Sequence, residues 1–354
     1  MTMIPFFKDF HKRQAVWLDA RGTAGDIVIS TRARLARNLK AFPFPHHAST
    51  VELGTIYGDL ARRLPGFPPF SGGWMLNMAE LDVTMHSALR EMSLASSALV
   101  KNPVHRGLIL SPDLALSGMI NEKDHVRLIA FRSGFEPAGA LVDVLRADDF
   151  LDEGIETAFA EDLGYLTASP VDVGTGLDLS ALIHLPGLVL AGEIDKVLNA
   201  LRQLQFSVRG LSGAGNTVRG ALFRVSNLIT LGRDEMEIAE DFKIHVGKII
   251  TYERAARDQL YARDSLGMED MANRSLAAVR SARLITAQET FDHLSGIRLG
   301  SGLGLLEPVD LGLLNRVLVQ LQTAHLELAA GQVLAGREKS AARAALLREV
   351  FAAE

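Results

Sequence analysis

Residues 27–35 read Ile27-Val28-Ile29-Ser30-Thr31-Arg32-Ala33-Arg34-Leu35, an apolar run that passes into a polar segment. The pattern predicts a strand. Alternate residues of a strand share a face, so Ser30, Arg32 and Arg34 project together. Two parallel guanidinium groups suit phosphate oxygens, because each presents a fork of donors to an oxyanion. Taken alone, an S-x-R-x-R string is more often a solvated edge strand than a phosphate clamp.

Three stretches further along bear on that choice. Asn121-Glu122-Lys123-Asp124-His125-Val126-Arg127 offers carboxylates and another arginine, and alone reads as a charged turn before a strand. Gly174-Thr175-Gly176 lies between two apolar runs, where glycines permit a close backbone approach to a ligand or simply make a hairpin turn. Arg209-Gly210 leads into a glycine-rich loop, Leu211 to Arg219, that could fold over a nucleotide or merely join two strands.

The rest of the chain sets limits. Its 354 residues are 48% hydrophobic and 22% charged, an ordinary globular composition. A net charge of −5 argues against general nucleic-acid binding, which needs a basic surface. The absence of cysteine excludes disulfides, thiolate nucleophiles and cysteine-ligated metals. The opening MTMIPFFKDFHKRQ mixes charges into its apolar residues, unlike a signal peptide. No run approaches the roughly 20 apolar residues of a membrane span. These features together predict a cytoplasmic protein. There is no P-loop, no G-x-G-x-x-G after a strand and no H-E-x-x-H. The histidines, among them His46, His47, His86, His184 and His293, form no metal-ligand pattern, so no protein-held metal is expected.

Residues 80–100 and 138–162 read as helix, 192–205 as an amphipathic helix, and 164–190 as strand, glycine turn, strand. After Gly232, Ile238, Phe242, Val246, Ile249 and Ile250 keep one apolar face on a long helix, and the remainder is helical. A boundary near residue 257 is expected, with mixed α+β before it (1–257) and a helical domain after it (258–354).

In their order and spacing the four stretches resemble the phosphagen kinase superfamily, the ATP:guanidino phosphotransferases. Its pattern runs S-x-R-x-R, N-E-x-D-H-x-R, a G-T-G-L turn, then R-G with a glycine-rich loop and S-N, here Ser226-Asn227. The chain is most similar to the bacterial protein-arginine kinase (McsB-type) branch, through VISTRARLARNL, MINEKDHVRL, GYLTASPVDVGTGL, HLPGLVL, VSNLITLG and IRLGSGLGLL. The resemblance implies an antiparallel sheet flanked by helices, with an appended C-terminal helical domain. It implies transfer of the γ-phosphate of ATP to arginine side chains of proteins, with Mg²⁺ held through the ATP phosphates. Ser30, Thr31, Arg32, Ala33, Arg34, Arg127, Arg209, Gly210 and Gly213 match its ATP-binding positions, and Glu122 matches a catalytic carboxylate. A guanidinium, with a pKa above ~12, attacks only once a proton is removed, which is the carboxylate's task. A homodimer is implied as well, and the apolar stretch 309–328 is the expected interface.

Several matching positions are substituted. The superfamily's G-T-G-L-R becomes Gly174-Thr175-Gly176-Leu177-Asp178, an acid where a phosphate-binding arginine belongs. Ala214 stands where arginine kinases place a second glutamate, Thr217 at another acidic position, Ser169 at the reactive cysteine and Ser93 at a nucleotide-contacting histidine. Of the phosphoarginine-reading R-D-x-x-R-A only Arg343-Ala344 remains, after Lys339-Ser340. An impaired homologue that binds nucleotide or a partner is therefore the alternative to an active kinase. A kinase of small guanidines ranks third, because the long helical C-terminus does not suit one.

Overall fold

The computed structural model describes residues 5–211 and 218–352. The first portion runs β1 (Val28–Arg37), α1 (Thr50–Arg63), β2 (Trp74–Asn77), α2 (Val83–Glu91), α3 (Ser97–Lys101), β3 (Gly107–Leu110), β4 (Leu116–Ile120), β5 (Val126–Ser133) and α4 (Pro137–Asp152). It continues through β6 (Phe159–Ala160), β7 (Gly164–Tyr165), β8 (Leu177–His184), α5 (Pro186–Leu190), α6 (Ile194–Gln203), β9 (Phe206–Gly210) and β10 (Leu222–Asn227). Then come helices only: α7 (Glu235–Arg263), α8 (Ser265–Ser281), α9 (Ala287–Gly302), α10 (Leu311–Gln320), α11 (Thr323–Ala330) and α12 (Gly336–Ala352).

Eight strands form one antiparallel sheet in the order β2-β3-β4-β5-β1-β8-β10-β9. The S-x-R-x-R strand is thus no edge: β1 is hydrogen-bonded to β5 on one side and β8 on the other. Its alternation divides the molecule. Ala33 and Leu35 enter the main core with Val144 and Leu151 of α4 and Phe242 and Val246 of α7. Arg32 and Arg34 point to the opposite face, half-buried. Part of that face is covered, because Met119, Ile129 and Phe131 pack against Phe6, Phe7, Phe10 and Trp17 of the N-terminal segment. Beyond β1 that cover ends; Leu182 and Leu222 still pack against Phe291 of α9, and beside them a polar cleft opens between the sheet and the C-terminal helices.

The helix expected over 138–162 ends at Asp152, and a short β6–β7 hairpin follows. Its last turn carries acids and no base, which opposes the helix dipole, and Gly154 comes next. The helical stretch 80–100 is two helices, broken where Ser93 takes a left-handed φ of 61°. Within 164–190, Pro186–Leu190 is helical and the first strand has only two residues. Near residue 257 the chain does not break, for α7 continues to Arg263 and Asp264 separates it from α8. What changes there is the packing: Ala256 belongs to the sheet's core, whereas Leu260 packs with Met268 and Leu299.

The apolar stretch 309–328 is spent within the chain. Leu314, Val317 and Leu321 pack with α9 and α12, while Val319 and Ala324 join Phe10 in the N-terminal cluster. Its composition therefore needs no second subunit to explain it.

Candidate active site

Register assembles the cleft. Arg34 of β1 lies opposite Asp178 of β8, and Arg32 opposite Ser180. On β10, Arg224 lies opposite Leu182 of β8 and also opposite Arg209 of β9. Directly opposed residues share a face, so these side chains converge. Asp178 bridges the first two arginines, with Oδ1 3.3 Å from Arg32 Nη2 and Oδ2 2.8 Å from Arg34 Nη2. Burial alone would raise the Asp178 pKa, but Arg34, Arg32 and Arg224 outweigh it and hold the carboxyl at about 2. Burial, with Arg32 alongside, pushes the Arg224 guanidinium down to about 9. The Nε groups of Arg32 and Arg34 are buried donors without a partner among the described residues.

Two adjoining cavities meet at these groups. One of about 740 Å³ reaches from Arg32, Arg34, Arg209 and Arg224 past Ser93 and Ser96 to Phe291 of α9. The other, about 380 Å³, has the same four arginines on one side and Lys123, Arg127, Ser169 and Asp172 on the other.

Beneath the second cavity Arg127 is surrounded by acids. Its Nη1 is 3.0 Å from Glu122 Oε2, and its Nη2 is 2.8 Å from Asp124 Oδ2 and 3.4 Å from Asp172 Oδ2. Asp124 is committed to structure, accepting also from Asn38 Nδ2 and the Ala168 amide. Glu122 is buried and lines neither cavity. Its Oε2 accepts from the Lys123 amide at 2.7 Å, and its Oε1 accepts from the Ser96 hydroxyl at 2.6 Å. Ser96, the N-cap of α3, is what stands between that oxygen and the larger cavity. Asp172 is a second acid on the cavity wall, with its pKa raised by burial against the opposing pull of Arg34 and Arg127.

The residues expected at the site divide accordingly. Arg32, Arg34, Arg127, Arg209, Ser93, Ser169 and Asp178 reach the cavities, as does Gly210. Ser30 is buried on β1. Thr31 and Ala33 are corrections: the Thr31 hydroxyl donates to the Gly134 carbonyl and Ala33 lies in the core, both on the far face of the strand. Gly174 and Gly176 also serve the fold. A Cβ on Gly174 would lie 2.0 Å from the Thr230 carbonyl oxygen and one on Gly176 2.7 Å from that of Ala36, with φ of +113° and +69°. Their close approach is to the chain's own backbone. Gly213, Ala214 and Thr217 lie outside the described residues. Arg343 is buried, with Nε donating to the Leu321 carbonyl and Nη1 to that of Ile285. Arg224, Asp172 and Ser96 had escaped the sequence reading. Only Arg224 left a signal, alternating with Ser226 along Leu222–Asn227 as Arg209 does with Ser207 on the partner strand.

Among the described residues no group of three or more His, Asp or Glu side chains is placed to hold a metal ion. No helix among them is long and apolar enough to cross a membrane.

Known proteins resemble this chain over most of its length. Residues 70–256 match the family model of the ATP:guanido phosphotransferase C-terminal catalytic domain, and residues 265–354 that of the protein-arginine kinase McsB C-terminal domain. A protein-arginine kinase of Halalkalibacterium halodurans is 38% identical over 333 residues, covering 94% of each chain. That of Bacillus subtilis is 35% identical over 338 residues, covering 94% of this chain and 92% of its own. Among solved structures, a lombricine kinase superposes with a TM-score of 0.55 at 24% identity, over 69% of this chain and 72% of that one. The duplicated taurocyamine kinase of Schistosoma mansoni, with bound transition-state-analogue components, gives 0.59 at 21% identity, over 72% of this chain but 36% of that one. At these identities the likeness to the two structures is one of fold.

Proposed function

Because the chain belongs to the ATP:guanido phosphotransferase family, in its protein-arginine kinase branch, we propose that it transfers the γ-phosphate of ATP to arginine side chains of proteins. The observation that carries this reading is the convergence of Arg32, Arg34, Arg209 and Arg224 on one cleft beside the Glu122–Arg127 pair. The arginines bind and orient the triphosphate and take up charge on the transferring phosphoryl group. Glu122 orients the acceptor guanidinium and receives its proton as the N–P bond forms and the bond to the β-phosphate oxygen breaks, releasing ADP. That role requires the Ser96 hydroxyl to swing aside from Oε1. Mg²⁺, which needs oxygen ligands, would be held through the ATP phosphates. It neutralises phosphate charge.

A cytoplasmic location and a homodimer belong to the same reading and rest on family membership; sedimentation at micromolar concentration tests the dimer. The central experiment incubates the protein with MgATP and an arginine-rich protein, then looks for acid-labile phosphate on arginine. Free arginine serves as the comparison, and turnover of it at the rate of the protein substrate would refute the proposal. One observation favours a second reading, a nucleotide-binding regulatory homologue: Asp178 already occupies the bay between Arg32 and Arg34. Binding of ATP without any transfer would establish that reading instead.

A further inference from the structure

We infer that Arg224 is a nucleotide-phosphate ligand, supplying from β10 the positive charge that β8 lacks at Asp178. The inference rests on the phosphotransferase reading and deepens it. Among the described residues the Arg224 guanidinium has no hydrogen bond and no ion pair, although it lines both cavities. Of the other arginines lining these cavities, Arg32 and Arg34 are engaged by Asp178 and Arg127 by Glu122 and Asp124, whereas Arg209 and Arg219, like Arg224, have no ion pair among the described residues.

Its placement is also unfavourable in the free protein. Arg224 and Arg209 are direct cross-strand partners, and like charges directly opposite destabilise a strand pair. Burial and Arg32 work against the same cation. Such a cluster is relieved by an anion seated among the guanidinium groups, and a polyphosphate can accept from several forks at once. Asp178 relieves the cluster only in part, because its two oxygens are taken by Arg32 and Arg34. It therefore offsets one of the two charges of the β1 arginines and leaves the cations of β9 and β10 without an ion pair. The phosphate site is thereby extended across the sheet to β10 and not abolished. Arg224 and Asp178 face the same cleft closely enough for each charge to move the other's pKa.

The test uses the full chain, with MgATP affinity measured by calorimetry and unfolding midpoints measured with and without tripolyphosphate. Arg224→Gln is expected to weaken MgATP at least about tenfold, to leave the ligand-free midpoint unchanged or higher, and to shrink the rise given by tripolyphosphate. A merely structural arginine would instead lower the ligand-free midpoint. Arg224→Gln combined with Asp178→Arg, which moves the cation to β8, is expected to recover most of the affinity. The inference is overturned if Arg224→Gln binds MgATP within twofold of the wild type, or if the double variant recovers nothing. A wild type that binds no MgATP overturns both this inference and the kinase reading. Arg224-dependent binding without transfer to protein arginine leaves the inference standing and removes only the kinase.

Discussion

Asp178 lies opposite Arg34 across the β1–β8 ladder and pairs with it at 2.8 Å, while its other oxygen reaches Arg32 at 3.3 Å. An internal carboxylate thus sits where an external phosphate oxygen would go. ATP must compete with it.

Removing that competitor without changing side-chain shape is the direct test. Asp178→Asn is expected to tighten MgATP by about 5- to 30-fold, or roughly 1–2 kcal/mol after screening of a close charge pair. Asp178→Arg should act in the same direction. Calorimetric titration decides it, and weaker binding by Asp178→Asn would mean that the carboxylate is needed to hold the arginines in place.

Glu122→Gln preserves shape but removes the proton acceptor. Arginine phosphorylation should fall by ~10²–10⁴ while MgATP affinity stays nearly constant. Ser96→Ala, which uncovers Oε1, should retain or raise the rate. Single-turnover assays on both variants give the answer, and undiminished transfer by Glu122→Gln would remove that residue from the mechanism.

His125 should make stability depend on pH. Its Nδ1 accepts from the Leu39 amide at 3.0 Å, leaving Nε2 to donate to the Pro43 carbonyl, so the ring is neutral. Burial lowers its pKa from the ordinary 6.5 to about 4. The unfolded chain therefore binds the proton more readily. Its contribution is complete above pH 6.5 and is lost as pH falls toward 4, by up to about 3 kcal/mol. His184 is shifted the same way, so the residue-specific part is the difference between the wild type and His125→Gln. Denaturant titrations from pH 7 to pH 4 should show a shallower decline in the variant.

Arg298 of α9 stitches the C-terminal helices to the segment before β1. It donates to the Gly25 and Asp26 carbonyls and to Asn315 Oδ1, and Asn315 in turn donates to the Leu18 carbonyl. Arg298→Met leaves buried acceptors unpaired and should cost about 2–5 kcal/mol. A thermal midpoint unchanged by the substitution would show that water replaces the guanidinium.

The legible parts of this molecule are those whose information is local. Strand alternation put Arg32 and Arg34 on one face, and the helical period of Ile238, Phe242 and Val246 outlined α7. Cross-strand register is not local, so the Asp178 bridge could not be read: nothing in Gly174–Asp178 says which strand will lie beside it. For the same reason the alternation of Arg224 with Ser226 does not by itself mark Arg224 as a site residue, although the facing pair Arg209–Arg224 forms one wall of the cleft. Glycine chemistry was legible only as a need for close approach, without saying to what; at Gly174 it is the Thr230 carbonyl. The apolar stretch 309–328 declared a buried surface but not which chain would bury it.

Helix α7 carries both packing units without interruption, and this gives the junction no dispensable residues. Glu253 receives the Gly187 and Leu188 amides at the start of α5 and is itself held by Arg257 Nε at 2.6 Å. A cloning boundary drawn at residue 257 would sever a rod ~43 Å long in its final third. A fragment ending just short of it would lose Arg257 and leave Glu253 a buried anion, no longer neutralised, beneath the corner where β8 turns into α5. The upstream portion is therefore not a free-standing module when cut there, and truncations meant to isolate the sheet should keep the chain at least to the cap at Asp264.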